Sequence, residues 1–376
     1  MIIEQYLDNT IPEIRRILKH ALDSEELTVE EGLKLLKVTG RNFIALQNVA
    51  NQICFEKKKD IVTFIINRNI NFTNICYKKC KFCCFSHSNT HKDSFTLSIE
   101  EIRNKIIELN NTECSEVCIQ GGINPDLSIE YYIDILRAVK DINSNLHIHA
   151  FSPQEIYHLS DLCEDSIENT LKMLKRAGLD SIPGTAAEIL NDNIRQIICP
   201  NKINTLKWIE IITIAHNLDI PTTSTMMYGH VEKLRDRIEH LDIIRNIQKR
   251  TWGITEFIPL PFIGKNTILT KLNGYLPNHC HGMDDIKLLC VARLFLNNYI
   301  DNIQCSWVKL GQKLAQISLN YGVNDFSGTL MEENISKSAG TIYGEYLHQN
   351  QIIEIIKSAG KRPARRDTLY NIKEFY

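Results

Sequence analysis

The sequence predicts an α/β fold, a (β/α)8 barrel of the TIM type with a helical segment in front of it. Three observations carry this. From Ile61 onward, β-rich runs alternate with runs of helical period to the end of the chain. The alternation repeats eight times, and eight parallel strands close a barrel. The chemically unusual residues fall directly after the β-rich runs, where such a barrel places its site.

Taken in order, residues 1–60 read as the helical segment and 61–376 as the barrel, C-terminal strands and helix included. Thr28 ahead of Val29-Glu30-Glu31 is a capping-box pattern. "DIVTFIINRNINFTN" is the first strand, followed by "SIEEIRNKIIEL", whose Ile99, Ile102, Ile106 and Leu109 form one stripe. "SEVCIQGG" precedes a helix bearing Ile129, Tyr132, Ile133, Leu136 and Val139. "LHIHAFSP" precedes "ENTLKMLKRAG", which ends on a Gly stop. "LDSIPGTAAEIL" leads to the helix "INTLKWIEIITIAHNL", and "IPTTSTMMYG" to a charged helix near 231–249. "TEFIPLPF" leads through an irregular loop to "DDIKLLCVARLFLN". "NIQCSWV" is followed by "LGQKLAQISLNYG", and "DFSGTLMEE" by a last helix near 349–358. A doubly wound open sheet is the rival, but it would carry a Gly-rich phosphate loop where this chain has cysteines.

The chain has 376 residues, 43% of them hydrophobic, enough for a substantial core. Its charge is 43 − 45 = −2, with no basic stripe, so a nucleic-acid partner is not expected. No run of 18 apolar residues suggests a membrane helix. The opening "MIIEQYLDNTIPEIRRILKH" lacks the order of a signal peptide, so a cytoplasmic location is expected. The sequon at Asn71-Phe72-Thr73 then has no consequence. In a reducing compartment, the twelve cysteines point to metal binding or catalysis rather than disulfides.

"ICYKKCKFCCFS" holds four of those cysteines. Cys76-x3-Cys80-x2-Cys83 can hold three corners of a cubane iron–sulfur cluster, leaving one iron open for a ligand. Cys84 follows Cys83 directly, and neighbours in an extended chain point to opposite sides, so it is expected to point away and pack as a small hydrophobe. Three other readings stay open on spacing alone. Zinc could take Cys80 and Cys83 with Cys114 and Cys118, a redox pair could sit at Cys80 and Cys83, or all could be structural.

The three-cysteine loop after a first barrel strand resembles the radical S-adenosylmethionine enzymes. That resemblance implies a [4Fe-4S] cluster on Cys76, Cys80 and Cys83, whose open iron chelates S-adenosyl-L-methionine. It implies that Phe82 packs on the adenine and that Gln120-Gly121-Gly122 receives the methionine amino group. Ile123 stands where the superfamily carries a glutamate, so backbone carbonyls would have to serve there. Glu188 and Arg195 are either an i, i+7 surface pair or contacts to the adenosine ribose or methionine carboxylate.

Further stretches resemble one narrow family: "NRNINFTNICYKKCKFC", "EVCIQGGINPDL", "HAFSP", "GLDSIPGTAAEIL", "TTSTMMYGHVE", "TEFIPLPF" and "NDFSGTLMEENIS". They are similar to the tyrosine-handling subunits of 7,8-didemethyl-8-hydroxy-5-deazariboflavin synthase, which serve coenzyme F420 biosynthesis. The resemblance implies that an adenosyl radical takes hydrogen from the amino group of L-tyrosine. Cα–Cβ cleavage then gives 2-iminoacetate and a 4-hydroxybenzyl radical, which adds to C5 of 5-amino-6-(D-ribitylamino)uracil. It also implies an electron donor and a separate cyclising radical subunit, since the length allows one barrel. Aminofutalosine synthase of menaquinone biosynthesis is the nearest alternative, disfavoured by Thr185-Ala186-Ala187 in place of a Gly-rich sequence. A zinc-bound structural or interaction protein is the alternative of another class.

Tyr228, His230 and Glu256 are the candidate catalytic residues. With Trp307 and Lys309 they lie at predicted strand ends, where each either meets the tyrosine phenol or the uracil or serves barrel packing. His279-Cys280-His281 reads as a solvated loop.

Overall fold

Four helices come first: α1 (Ile2–Asp8), α2 (Pro12–Leu22), α3 (Val29–Lys37) and α4 (Gly40–Lys58). They are seen in a computed structural model that describes residues 2–272 and 281–376. Pro12 opens α2, where its missing N–H costs nothing, and Ile14, Ile17, Leu18 and Ala21 form its buried stripe. The capping box of Thr28 with Glu31 starts α3, as its sequence pattern predicts. α3 packs on the helix Leu234–Thr251 and α4 on the helix Gly282–Leu296, so this segment lies against the outside of the barrel.

The strands are β1 (Ile61–Ile65), β2 (Asn67–Asn71), β3 (Glu116–Gln120), β4 (His147–Ala150), β5 (Thr222–Tyr228), β6 (Ile254–Pro261), β7 (Asp325–Gly328), β8 (Arg362–Arg366) and β9 (Ile372–Phe375). β2, β3 and β4 pair in parallel, then single parallel bridges join His149 to Ser181 and Ile182 to Thr222 of β5. β5 pairs with β6, and bridges join Phe257 to Ile303 and Gln304 to Asp325 of β7. β7 pairs with β1, which runs on into β2 and closes the ring. Counting β1 and β2 as one bent strand, and the two bridge segments as one each, the ring has eight positions. The predicted barrel is the fold.

Two details differ from expectation. The first strand is split: β1 pairs with β7 and β8, whereas β2 pairs with β3. β3 reaches back only as far as Asn67, so β8 comes in beside β1 and covers an edge that would otherwise be unpaired. The fourth and seventh strands are reduced to bridges at Ser181-Ile182 and Ile303-Gln304.

Alternation along each strand sorts the walls. In β3, Val117 and Ile119 are fully buried against the helices, where Ile102, Ile106, Ile135 and Leu136 meet them in one apolar core. Glu116, Cys118 and Gln120 face inward, registered opposite Asn67, Asn69 and Asn71 of β2.

Candidate active site

The cysteine loop leaves β2 and turns back across the barrel mouth. Backbone bonds pin it: Cys76 N–H to His87 O at 3.0 Å, Lys81 N–H to Ile198 O at 2.8 Å, and Cys83 N–H to Cys80 O at 3.1 Å. Asn201 Nδ2 donates to Lys78 O. Cys76, Cys80 and Cys83 all border one cavity at the mouth. Cys84 borders it too, which corrects the expectation that it points away. Residues 80–85 run through turns and a bend, not an extended strand, so the opposite-sides rule does not apply.

Gly121 and Gly122 form the facing wall. A Cβ on Gly122 would stand 2.2 Å from Ile75 O and 3.0 Å from Cys76 Cβ, so only glycine lets the β3 turn lie against the cysteine loop. Ile123 uses its carbonyl to accept from Tyr77 N–H at 3.2 Å. A carboxylate does border the mouth from the first turn of the next helix, Pro153–Leu162. Glu155 lines the cavity, accepts the Gly121 N–H at 3.0 Å, and makes a capping box with Ser152. The Ser152-x-x-Glu155 spacing was readable as a helix start, but not as a wall of the site.

Burial pushes the Glu155 carboxyl up to about 7, against the pull of its bonds from Ser152 and Gly121. Between its ordinary 4.5 and about 7 the native state holds a proton that the unfolded chain has released. The stability this gives is complete at the acid end and is lost as pH rises through 7. The melting temperature of cluster-free protein, relative to Glu155→Gln, should therefore fall from about pH 5 to about pH 8. A constant difference would show that Glu155 titrates as an ordinary carboxylate.

Phe82, Gln120 and Glu188 also line the mouth cavity. Glu188 pairs with Lys202 at 2.6 Å, and Lys202 Nζ sits 5.4 Å from the Phe82 ring centroid. Burial raises the Glu188 carboxyl, but Lys202, Arg195 and His230 together outweigh it and the net shift is downward. Arg195 is a correction: it lines neither cavity. Its guanidinium donates to the carbonyls of Ala186 at 3.2 Å, Ala187 at 2.5 Å and Ile203 at 2.5 Å. Ala186 and Glu188 hold left-handed φ of 62° and 47°. Arg195 therefore braces a strained turn that presents Glu188.

Below the mouth lies an inner chamber walled by polar side chains, among them Asn67, Glu116, His149, Glu256, Gln304 and Arg366. Mouth and chamber share Gln120, Thr185, Thr225, Leu260, Lys309 and Ile335, so they form one continuous site. Of the three catalytic candidates, only Glu256 is on its wall. Gln304 Nε2 donates to Glu256 Oε2 at 2.9 Å, and Tyr370 donates to the same oxygen. Burial pushes the Glu256 carboxyl up to about 7, with Arg366 opposing.

Tyr228 and His230 are corrected. The alternation that turns Thr223, Thr225 and Met227 inward turns Tyr228 outward, where its hydroxyl donates to Asp285 Oδ1 at 2.8 Å. His230 is fully buried, with Nε2 3.0 Å from Met227 O and Nδ1 accepting from Val231 N–H at 2.8 Å. Trp307 is likewise structural, its indole N–H bonded to Gly328 O at 2.9 Å. His279 and Cys280 lie outside the described residues. Gln154, Lys202, Gln304 and Arg366 are site residues that no sequence pattern singled out.

The site fits a cluster with a small organic ligand. Three thiols come from one loop, the facing wall has no Cβ at Gly122, and a buried donor, Gln154 Nε2, has no partner among the described residues. Among the described residues no three His, Cys, Asp or Glu groups converge on a single ion. A cubane needs no such convergence, because each thiolate binds a different iron. The four-cysteine zinc grouping is not assembled: Cys114 precedes β3, at the barrel end opposite Cys80 and Cys83.

Comparison with known proteins gives matches over nearly the whole chain. Residues 70–244 match the radical SAM superfamily and residues 251–376 the CofH/MqnC C-terminal region. A 5-amino-6-(D-ribitylamino)uracil–L-tyrosine 4-hydroxyphenyl transferase of Archaeoglobus fulgidus is 50% identical over 86% of this chain and 92% of its own. The protein of the same name from Methanothermobacter thermautotrophicus is 46% identical over 95% and 96%. Among solved structures, methylornithine synthase matches with a TM-score of 0.72 at 16% identity, over 93% of this chain and 97% of that one. The hydrogenase maturase HydG of Carboxydothermus hydrogenoformans matches with 0.75 at 16% identity, over 98% and 83%. At that identity these two speak for the fold alone.

Proposed function

The chain belongs to the radical S-adenosylmethionine superfamily and, within it, to the 5-amino-6-(D-ribitylamino)uracil–L-tyrosine 4-hydroxyphenyl transferases; we propose on that premise that it transfers the 4-hydroxybenzyl group of L-tyrosine to that uracil. The observation that carries this reading is the continuity of a thiol-lined mouth with a polar inner chamber. The mouth suits a cofactor, and the chamber suits a phenol and a ribityl-uracil rich in hydrogen-bonding groups.

In this reading Cys76, Cys80 and Cys83 hold the [4Fe-4S] cluster. Bound there, cluster and S-adenosylmethionine supply the electron and the 5′-deoxyadenosyl radical of the reaction. Phe82 offers a ring face to the adenine, while Gly121, Gly122 and Glu155 face the methionine end. Glu188, fixed by Lys202, faces the ribose, and Arg195 acts as a positioning residue for it. Gln154 Nε2, without a partner among the described residues, is a donor for the cofactor or substrate. The enclosing barrel keeps water from reactive intermediates.

Residues 1–60 are a helical collar and 61–376 the catalytic barrel. A separate cyclising subunit completes the deazaflavin, and an electron donor of low potential reduces the cluster. Among the described residues no helix is long and apolar enough to cross a membrane. The free thiols of the mouth, part-buried at Cys76, Cys83 and Cys84 and buried at Cys80, suit a reducing cytoplasm.

The test uses anaerobic protein with reductant and S-adenosylmethionine. 5′-Deoxyadenosine should form when L-tyrosine is added and should not form when a carboxyvinyl-oxy benzoate replaces it. The reverse preference would assign the chain to the menaquinone branch.

A further inference from the structure

Lys309 stands where the mouth cavity and the inner chamber meet, on the wall of both. The short helix Trp307–Leu310 carries it, held by Lys309 N–H to Ser306 O at 3.0 Å and by the Trp307 indole bond. Among the described residues its ammonium has neither a hydrogen bond nor an ion pair. Every other lysine or arginine on the two walls is engaged. Lys202 pairs with Glu188 and Arg366 with Asp325, while Lys78 covers the Tyr77 ring at 4.4 Å. The nearby carboxylate of Glu333 is itself occupied, accepting from Asn69 Nδ2 at 2.9 Å and from Ser336 N–H at 2.7 Å. Burial works against the charge on Lys309, and an arriving anion would relieve that penalty.

We propose that Lys309 receives the α-carboxylate of the amino-acid substrate. The proposal rests on the reading of the chain as a tyrosine-cleaving enzyme and assigns the group that orients the amino acid. That reaction takes hydrogen from the amino nitrogen and breaks Cα–Cβ. The substrate head must therefore face the cofactor in the mouth, while its ring lies in the chamber. A cation at the junction meets both demands at once. Lys202 borders the mouth alone, and Arg366 borders the chamber alone. With the head held at Lys309, the polar groups at Glu256, Gln304 and His149 are left for the phenol and the uracil.

The experiment compares wild type, Lys309→Met and Lys309→Arg as reconstituted holoenzyme, with L-tyrosine and with L-tyrosinamide, whose head carries no negative charge. Loss of one charge-assisted contact should raise the KM for tyrosine roughly ten- to a hundredfold in Lys309→Met, with cluster content and S-adenosylmethionine affinity unchanged. Lys309→Arg should recover most of it. Wild type should bind tyrosine at least about tenfold more tightly than tyrosinamide, and Lys309→Met should lose that preference. This ligand comparison on the wild type stands even if a variant does not fold.

Equal binding of the two ligands by wild type would overturn the proposal. So would a Lys309→Met variant whose loss falls on S-adenosylmethionine affinity, which would place the cofactor's own carboxylate at Lys309. A wild type that never binds tyrosine would overturn the functional reading, and the proposal with it.

Discussion

Replacing any one of Cys76, Cys80 and Cys83 by Ala is expected to abolish 5′-deoxyadenosine formation and to strip the protein of iron and sulfide. In a cubane held by these three residues each thiolate would bind a separate iron, so two could not do the work of three. Ligands and cluster are also coupled thermodynamically, since the site forms fully only when all its thiolates are bound. Burial pushes the Cys80 thiol up, with Lys202 opposing, so metal-free Cys80 keeps its proton and iron must displace it. Cys84→Ala should keep both iron and activity. Because Cys84 borders the same cavity, this comparison is sharper than the spacing suggests. Iron, sulfide and visible absorption under anaerobic conditions decide it. A Cys84→Ala protein without cluster, beside a Cys83→Ala protein that keeps one, would overturn the ligand assignment.

The second large effect is on stability. Arg366, at the end of β8, donates from Nε to Asp325 Oδ2 at 2.5 Å and from Nη2 to Asp325 Oδ1 at 3.1 Å. Asp325 is fully buried and Arg366 nearly so. The pair ties the C-terminal tail to β7 on the wall of the inner chamber. Arg366→Met leaves a buried carboxylate without its cation, a change that costs about 3–5 kcal/mol. With an unfolding entropy of about 2.1 cal/mol/K per residue, a chain this long should melt about 4–6 °C lower. Adding Asp325→Asn should recover part of the loss, because the orphaned charge is gone. A thermal melt of the three proteins checks this. A change of less than about 1 kcal/mol would mean that water reaches the pair.

The barrel was legible because its strands and helices obey the two simple periods. What escaped is local. "RPARRD" is too charged to read as a strand, yet β8 forms there because β1 presents an unpaired edge and Asp325 a buried carboxylate. The bridges at Ser181-Ile182 and Ile303-Gln304 are too short to leave a pattern. In the site, the cysteine loop and the glycine pair were legible because few other chemistries use that spacing. Tyr228 was misplaced although the alternation Thr223, Thr225, Met227 already argued that it faces outward. Arg195 was misread because its partners are backbone carbonyls, which no side-chain pattern reveals. Glu155 stayed hidden because one carboxylate both caps a helix and lines the cavity, and the capping signal accounts for it in full.

The central claim is that this barrel moves the hydroxybenzyl group of tyrosine onto a ribitylaminouracil. Mass spectrometry of an anaerobic reaction with ring-labelled L-tyrosine, 5-amino-6-(D-ribitylamino)uracil, S-adenosylmethionine and reductant tests it directly. The account predicts a labelled hydroxybenzyl-uracil adduct that does not cyclise until a partner enzyme is added. Label that never reaches the uracil, while 5′-deoxyadenosine accumulates, would contradict it.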